Sequence, residues 1–251
     1  MKISIICVYN KKTIFEDCLL KTLDNQNNDF ELILVDNTEN KFNCAADALN
    51  YGGNKATGEL LLFIHQDVKL FENNLNDIIE YCEKLENFGI AGVAGTDLNK
   101  GYMKSCGIHS IPPEPMCDNQ ITKIERVQTL DEVLLIIPQN IFKLYKFNNK
   151  LCNDWHLYGM EYCLNLIKNG YCAYVLPIKL YHVSNTKSMS IGYFTTLKKI
   201  FNYYKNDFDI IHTNCWGSRN PKKQIILNLI IIYNKSHLKE IVQKISKKIK
   251  N

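Results

Sequence analysis

The chain has 251 residues, enough for one large α/β domain with or without a small appendage. At 46% hydrophobic and 22% charged residues it has the composition of an ordinary globular protein, which excludes a disordered or fibrous chain. The formal charge of +4 is concentrated at the C-terminus, where Lys222, Lys223, Lys235, Lys239, Lys244, Lys247, Lys248 and Lys250 face Glu240 alone, so nucleic acid is a poor candidate partner.

In chain order, the first half alternates apolar runs with helical spacing. Ile3–Val8 predicts a buried strand, Thr13–Leu23 a helix, Glu31–Val35 a strand, Cys44–Ala56 a helix and Glu59–Ile64 a strand. Leu75–Leu85 has helical spacing and Ile90–Ala94 predicts a fourth strand. Residues 105–118, with Pro112, Pro113 and Pro115, predict a loop. Strands follow at Ile124–Leu130 and Val133–Ile137, then a helix over His156–Lys168 ending at Gly170, and a strand at Tyr171–Leu176. This alternation predicts an α/β fold, a mostly parallel Rossmann-like sheet with helices on both faces, which binds ligands at the carboxyl ends of its strands.

The tail carries Leu238, Ile241, Val242, Ile245 and Ile249 at helical spacing, with lysines on the other side. It predicts a terminal basic helix, packed on its own domain or lying on an anionic membrane surface. Ten cysteines contain no CxxC pair, and no signal peptide is visible; reduced thiols in the cytoplasm are the simplest account. The longest apolar stretch, Ile225–Ile232, is too short to span a membrane.

The strand ends are polar: Tyr9-Asn10, Asp36-Asn37-Thr38 and His65-Gln66-Asp67. Asp36 can accept hydrogen bonds from a base or ribose, or cap the following helix. His65 and Asp67 can both reach one divalent ion if the chain turns there; an imidazole with a carboxylate suits Mn²⁺ better than Mg²⁺. Such an ion beside a diphosphate stabilises the charge of a leaving group. Taken alone, His65 reads more readily as a structural histidine.

These segments, SIICVYN at Ser4–Asn10, LILVDNT at Leu32–Thr38 and NYGGNKATGELLLFIHQDV at Asn50–Val68, resemble the nucleotide-binding half of family 2 glycosyltransferases of the GT-A fold. His65-Gln66-Asp67-Val68 replaces the family's DxD motif and is similar to a bacterial branch acting on surface polysaccharide and lipopolysaccharide. Asn153–Ser184 resembles the acceptor-side segment of that branch.

The resemblance implies a GT-A domain over residues 1–185, nucleotide-binding in 1–100 and acceptor-binding in 101–185, followed by a helical basic region over 186–251. It implies a UDP-type nucleotide sugar as donor, a hexose or N-acetylhexosamine as the group transferred, and inversion. The acceptor would be a glycan or a lipid-linked saccharide. Val8, Tyr9, Asn10, Asp36, Asn37 and Gln66 are expected at the nucleotide, with Asn54 and Lys55 near the diphosphate, though Lys55 reads as well as a surface lysine. His182 is expected to complete the metal site with His65 and Asp67. Asp131 and Glu132 are expected at the sugar or acceptor, or in a plain turn. Trp155 and Tyr158 stack on a sugar ring or pack the core.

The family's acidic pair falls near Tyr158-Gly159, where there is no acid. Glu161 is therefore the first choice of catalytic base, Asp154 the second and His156 the third. A degenerate nucleotide-sugar or glycan-binding protein and a sugar nucleotidyltransferase are the alternatives; Val8–Thr13 lacks the glycines the latter would need.

Overall fold

The computed structural model describes residues 1–184, 191–215 and 217–222. The chain opens with three parallel strands, β1 (Ile3–Tyr9), β2 (Phe30–Asp36) and β3 (Leu60–His65). Between them run α1 (Lys12–Phe15), a π-helical turn (Glu16–Leu20), α2 (Lys21–Leu23) and α3 (Ala45–Gly53). Then follow β4 (Val68–Leu70), α4 (Asn74–Cys82), β5 (Phe88–Gly92), β6 (Ala94–Asp97), β7 (Met103–Ser105), β8 (Ile108–His109) and β9 (Glu114–Pro115). The second half holds β10 (Glu125–Leu130), β11 (Leu134–Pro138), α5 (Gln139–Leu144), α6 (Tyr158–Lys168), β12 (Cys172–Val175), β13 (Leu180–His182), α7 (Ile191–Tyr204) and the hairpin β14 (Ile211–Thr213) and β15 (Gly217–Arg219).

Nine strands form the central sheet in the order β2-β1-β3-β11-β5-β12-β10-β6-β7. β2, β1, β3, β5, β12 and β6 run one way, and β11, β10 and β7 run the other. β1 and β3 read as unbroken apolar runs because both faces of the sheet are covered. Ile6, Leu61 and Phe63 pack on one side with α3, α6 and α7. Ile3, Ile5, Cys7, Leu60, Leu62 and Ile64 pack on the other with Phe15, Leu19 and Leu23 and with Leu75, Ile78 and Cys82 of α4. The turn into β3 passes so close to β1 that a Cβ on Gly58 would lie 2.7 Å from the Ser4 backbone nitrogen, so only glycine fits there.

Several expectations are corrected in detail. The single strand expected at Ile90–Ala94 divides at Val93, because β6 leaves β5 to pair with β10 while β12 takes the place beside β5. The loop expected over 105–118 contains β8 and β9, which join β4 and β13 in a second sheet of order β4-β13-β8-β9. α5 was not expected, whereas α7 falls within the helical region expected over 186–251. α7 buries Tyr193, Phe194, Leu197 and Ile200 in the same core as α6, so the boundary expected at residue 185 does not divide the packing. All ten cysteines are free thiols. Among the described residues no helix is long and apolar enough to cross a membrane. The expected basic helix of the tail, from Leu238 to Ile249, lies outside the described residues.

Candidate functional site

Register brings the polar strand ends together. Tyr9 of β1 pairs with Asp36 of β2, and Val8 pairs with His65 of β3. β11 runs antiparallel to β3, with Leu134 opposite Ile64, so the turn that precedes it, Asp131-Glu132, falls at the same edge; the His65 backbone N–H donates to the Val133 carbonyl at 3.1 Å. The second sheet supplies the remaining wall: β13 pairs with β4, setting His182 opposite Val68, and the Val183 N–H donates to the Asp67 carbonyl at 2.9 Å. These pairings bound a cleft of about 460 Å³ lined by residues of both sheets, α7 and the β14–β15 hairpin.

His65, Asp67 and His182 meet in it. Their potential ligand atoms all lie within 4.8 Å of one another, and the two imidazole rings are 5.4 Å apart between centroids. His182 Nε2 lies 3.2 Å from Asp67 Oδ1, yet it is buried without a properly aligned hydrogen-bond partner. A buried nitrogen without a partner beside a carboxylate is costly unless something else satisfies both, and a cation does so. Burial, with His182 next to it, pushes His65 down to about 4, which keeps its ring neutral and able to coordinate at neutral pH. Burial works against ionisation of Asp67, but His182 outweighs it and holds the carboxyl below its usual value. Two imidazoles and one carboxylate within this reach fit a transition-type divalent ion.

Tyr158, in the first turn of α6, has its hydroxyl 3.1 Å from His65 Nε2 and its ring edge-on to Phe147. It is buried, so the expected role in stacking on a sugar is corrected: Tyr158 orients His65 from behind. Tyr158→Phe should therefore leave the melting temperature nearly unchanged while weakening Mn²⁺ binding about 10- to 100-fold, measured by calorimetric titration. Trp155 is 38% exposed and lines the cleft, as well as an apolar recess of about 70 Å³ behind Val8 and Leu49.

The other expected site residues divide. Val8, Asn10, Asn37, Gln66, Asp131, Glu132 and His156 line the cleft with the three metal candidates. Gln66 is committed to the β1–α1 turn: its Oε1 accepts from the Asn10 and Lys11 backbone N–H groups, and its Nε2 donates to Asn10 Oδ1 at 2.8 Å. Asn37 is buried and closes its own loop through Phe42. Asp36 lies exposed at the end of β2 beside Tyr9, and its Oδ1 accepts from the Thr38 N–H and hydroxyl; these bonds hold its carboxyl below the usual value.

Asn54 and Lys55 are corrected. They lie at the C-terminal end of α3, and a helix after a parallel strand carries its last residues back to the opposite edge of the sheet. There Asn54 accepts from Lys146 Nζ at 2.6 Å, and Lys55 Nζ donates to the Tyr51 hydroxyl at 2.7 Å.

Glu161 is also corrected. It is 1% exposed, does not line the cleft, and accepts from the Tyr204 hydroxyl at 2.8 Å and from Asn148 Nδ2 at 3.3 Å. Asp154 does not line the cleft either; its Oδ1 accepts from the Trp155 N–H at 2.7 Å and its carbonyl from the Ala45 N–H. Of the three expected bases only His156 reaches the cleft, its ring edge-on to Tyr193.

Sequence reasoning missed Ser184, Tyr193 and Cys215, which also line the cleft. The hairpin that carries Cys215 is held by contacts distant in sequence: the Thr96 hydroxyl donates to Asn214 Oδ1, the Thr129 hydroxyl donates to the His212 carbonyl, and the His212 N–H donates to Gln128 Oε1. No local pattern announces such a wall.

Three solved structures share the architecture. The crystal structure of GalNAc-T7 with UDP, GalNAc and Mn²⁺ aligns at TM-score 0.59 and 10% identity, over 82% of this chain and 50% of its own, so the chain spans half of that protein's length. The mannosyltransferase PcManGT from Pyrobaculum calidifontis, in complex with GDP-Man and Mn²⁺, aligns at 0.58 and 14% identity, over 92% of this chain and 69% of its own. S. aureus TarS 1-349 in complex with UDP-GlcNAc aligns at 0.55 and 15% identity, over 95% and 74%. At these identities the likeness shows the fold, which is GT-A. No curated protein sequence matches. A family model described as "Glycosyltransferase like family" matches residues 4–204, which is most of the chain and includes His65, Asp67 and His182, and the chain belongs to that family.

Proposed function

We propose that the chain transfers a hexose or N-acetylhexosamine from a nucleoside diphosphate, UDP before GDP, to a hydroxyl of a glycan or lipid-linked saccharide, with inversion at the anomeric carbon. The observation that carries this reading is the convergence of His65, Asp67 and His182 at the carboxyl ends of the strands, beside a cleft large enough for a sugar nucleotide. Those three residues would hold a divalent ion, Mn²⁺ ahead of Mg²⁺, which supplies charge stabilisation to the departing diphosphate. The β1 and β2 ends, with Tyr9, Asn10 and Asp36, face the nucleotide. Trp155 offers an exposed ring for the apolar face of a sugar. The acceptor hydroxyl meets the side of the cleft formed by Asp131, Glu132 and His156.

The HQDV sequence supports a role in bacterial surface polysaccharide or lipopolysaccharide assembly, and the cysteine usage supports a cytoplasmic location. The lysine-rich segment after Pro221 supports, by composition alone, peripheral contact with an anionic membrane. A second reading, a binding protein that has lost catalysis, is favoured by the missing acid at Gly159 and by the burial of Glu161.

One experiment separates them. Release of nucleoside diphosphate from UDP- and GDP-sugars is measured with and without Mn²⁺. Slow, Mn²⁺-stimulated hydrolysis of one donor supports the transferase. Binding without release, under every acceptor tried, supports the second reading.

A further inference from the structure

We propose that Glu132 is the group that takes the proton of the acceptor hydroxyl, standing in from the strand edge for the acid that is absent at position 159. This rests on the transferase reading above and assigns a role within the same cleft. An ideal Cβ built on Gly159 would lie 3.1 Å from Glu132 Cγ and 3.5 Å from Glu132 Oε1. The Glu132 side chain thus occupies the space into which a side chain at 159 would project, the position where related sequences are expected to carry their acidic pair. The glycine and the glutamate are two halves of one arrangement: a side chain at 159 would crowd Glu132 and Leu135, and without Glu132 the first turn of α6 would present no carboxylate to the cleft, since Glu161 turns away from it.

The carboxylate is fixed in place. Glu132 Oε1 accepts the Gly159 N–H at 3.2 Å, and the nearby Leu157 and Met160 N–H groups favour its charged form. These are unsatisfied donors of the first turn of α6, whose N-cap residue, Leu157, supplies no side-chain cap of its own. Being held by backbone rather than by flexible side chains gives Glu132 the preorganisation that a proton acceptor needs.

Burial, then the neighbouring Asp131 charge, raise its proton affinity to about 8, against the pull of those N–H groups. Once ionised, a base of that strength accepts a proton more readily than an ordinary carboxylate. The competing groups in the cleft are differently placed. Asp131 Oδ1 accepts the Val133 N–H within its own turn, at 3.2 Å, and the His156 ring packs against Tyr193.

In the step itself the acceptor O–H bond breaks and its proton passes to Glu132. The acceptor oxygen bonds to the anomeric carbon. The bond from that carbon to the diphosphate oxygen breaks, and its electron pair leaves on the nucleoside diphosphate.

The test uses the full chain with Mn²⁺ and the donor that it hydrolyses or transfers. Glu132→Gln keeps a carbonyl oxygen for the α6 N–H groups, so the fold and donor affinity should persist, while kcat falls about 100-fold. The double variant Glu132→Ala with Gly159→Asp returns a carboxylate to the same space from the helix. It should turn over at least about tenfold faster than Glu132→Ala alone, a rescue that a purely capping role would not produce. Glu132→Gln within about threefold of wild type, with the fold intact, overturns the inference and leaves the transferase reading standing. So does a folded double variant no faster than Glu132→Ala. A wild-type chain inert toward every nucleotide sugar overturns both.

Discussion

Asp67→Ala should cut Mn²⁺-stimulated turnover about 1000-fold, which corresponds to about 4 kcal/mol of transition-state stabilisation. Asp67 is the only anionic member of the trio with His65 and His182, so its loss removes both a ligand and the charge that balances the ion. The substitution should be mild for folding. The backbone carbonyl that receives the Val183 N–H is kept, and among the described residues the carboxylate's buried partner is His182. Thermal melting should therefore change little in the absence of metal, while the rise in melting temperature that wild type gains from added Mn²⁺ should disappear. Full Mn²⁺-dependent activity in this variant would remove the ion from the site proposed for it.

Glu161→Gln should act on stability and leave turnover within about threefold of wild type. Burial raises the carboxyl from an ordinary 4.5 to about 7, and the bonds from Tyr204 and Asn148 only partly oppose that shift. The folded chain thus holds this proton more tightly than the unfolded chain does. The stabilisation is complete below pH 4.5 and is lost as pH rises through 7, amounting to about 3 kcal/mol for this one group. In a protein of this size that is a fall of roughly 6–10 °C in melting temperature across the interval. The amide that replaces the carboxyl has no proton to lose in this range, so the variant should flatten that part of the pH profile and melt above wild type at about pH 8. An unchanged slope between about pH 4.5 and 7.5 would show that the carboxylate reaches water. A large loss of turnover with normal stability would return Glu161 to the catalytic site.

The distinction between Glu161 and Glu132 shows where reading along the chain stops being informative. Both sit near elements expected at the acceptor side. Helical spacing places Glu161 in the first turn of α6 but does not say which face of that helix meets α7, which was expected only as part of a helical region beyond residue 185. The packing of Tyr204 against α6 turns Glu161 inward. Glu132 reads as a turn residue until β11 is known to run antiparallel to β3, which sets that turn beside His65. Asn54 and Lys55 were misplaced for a related reason. They are close in sequence to the strand ends, but the length of α3 carries them to the far edge of the sheet.

What the amino-acid order determined by itself is local and periodic. Runs such as ISIIC and ELLLFI demand strands covered on both faces, and the helical spacing between them demands crossovers. Together these place Tyr9, Asp36 and His65 at one edge, and the resemblance of His65-Gln66-Asp67 to the family's metal motif made His65 and Asp67 legible as partners. What only the tertiary structure decided is which distant segments close that edge. The pairing of β13 with β4 brings His182 to Asp67, the β10–β11 turn brings Glu132 under Gly159, and the hairpin brings Cys215 to the cleft. Such contacts depend on strand pairing and helix packing between residues far apart in the chain, and these leave no periodic trace in the segments that make them.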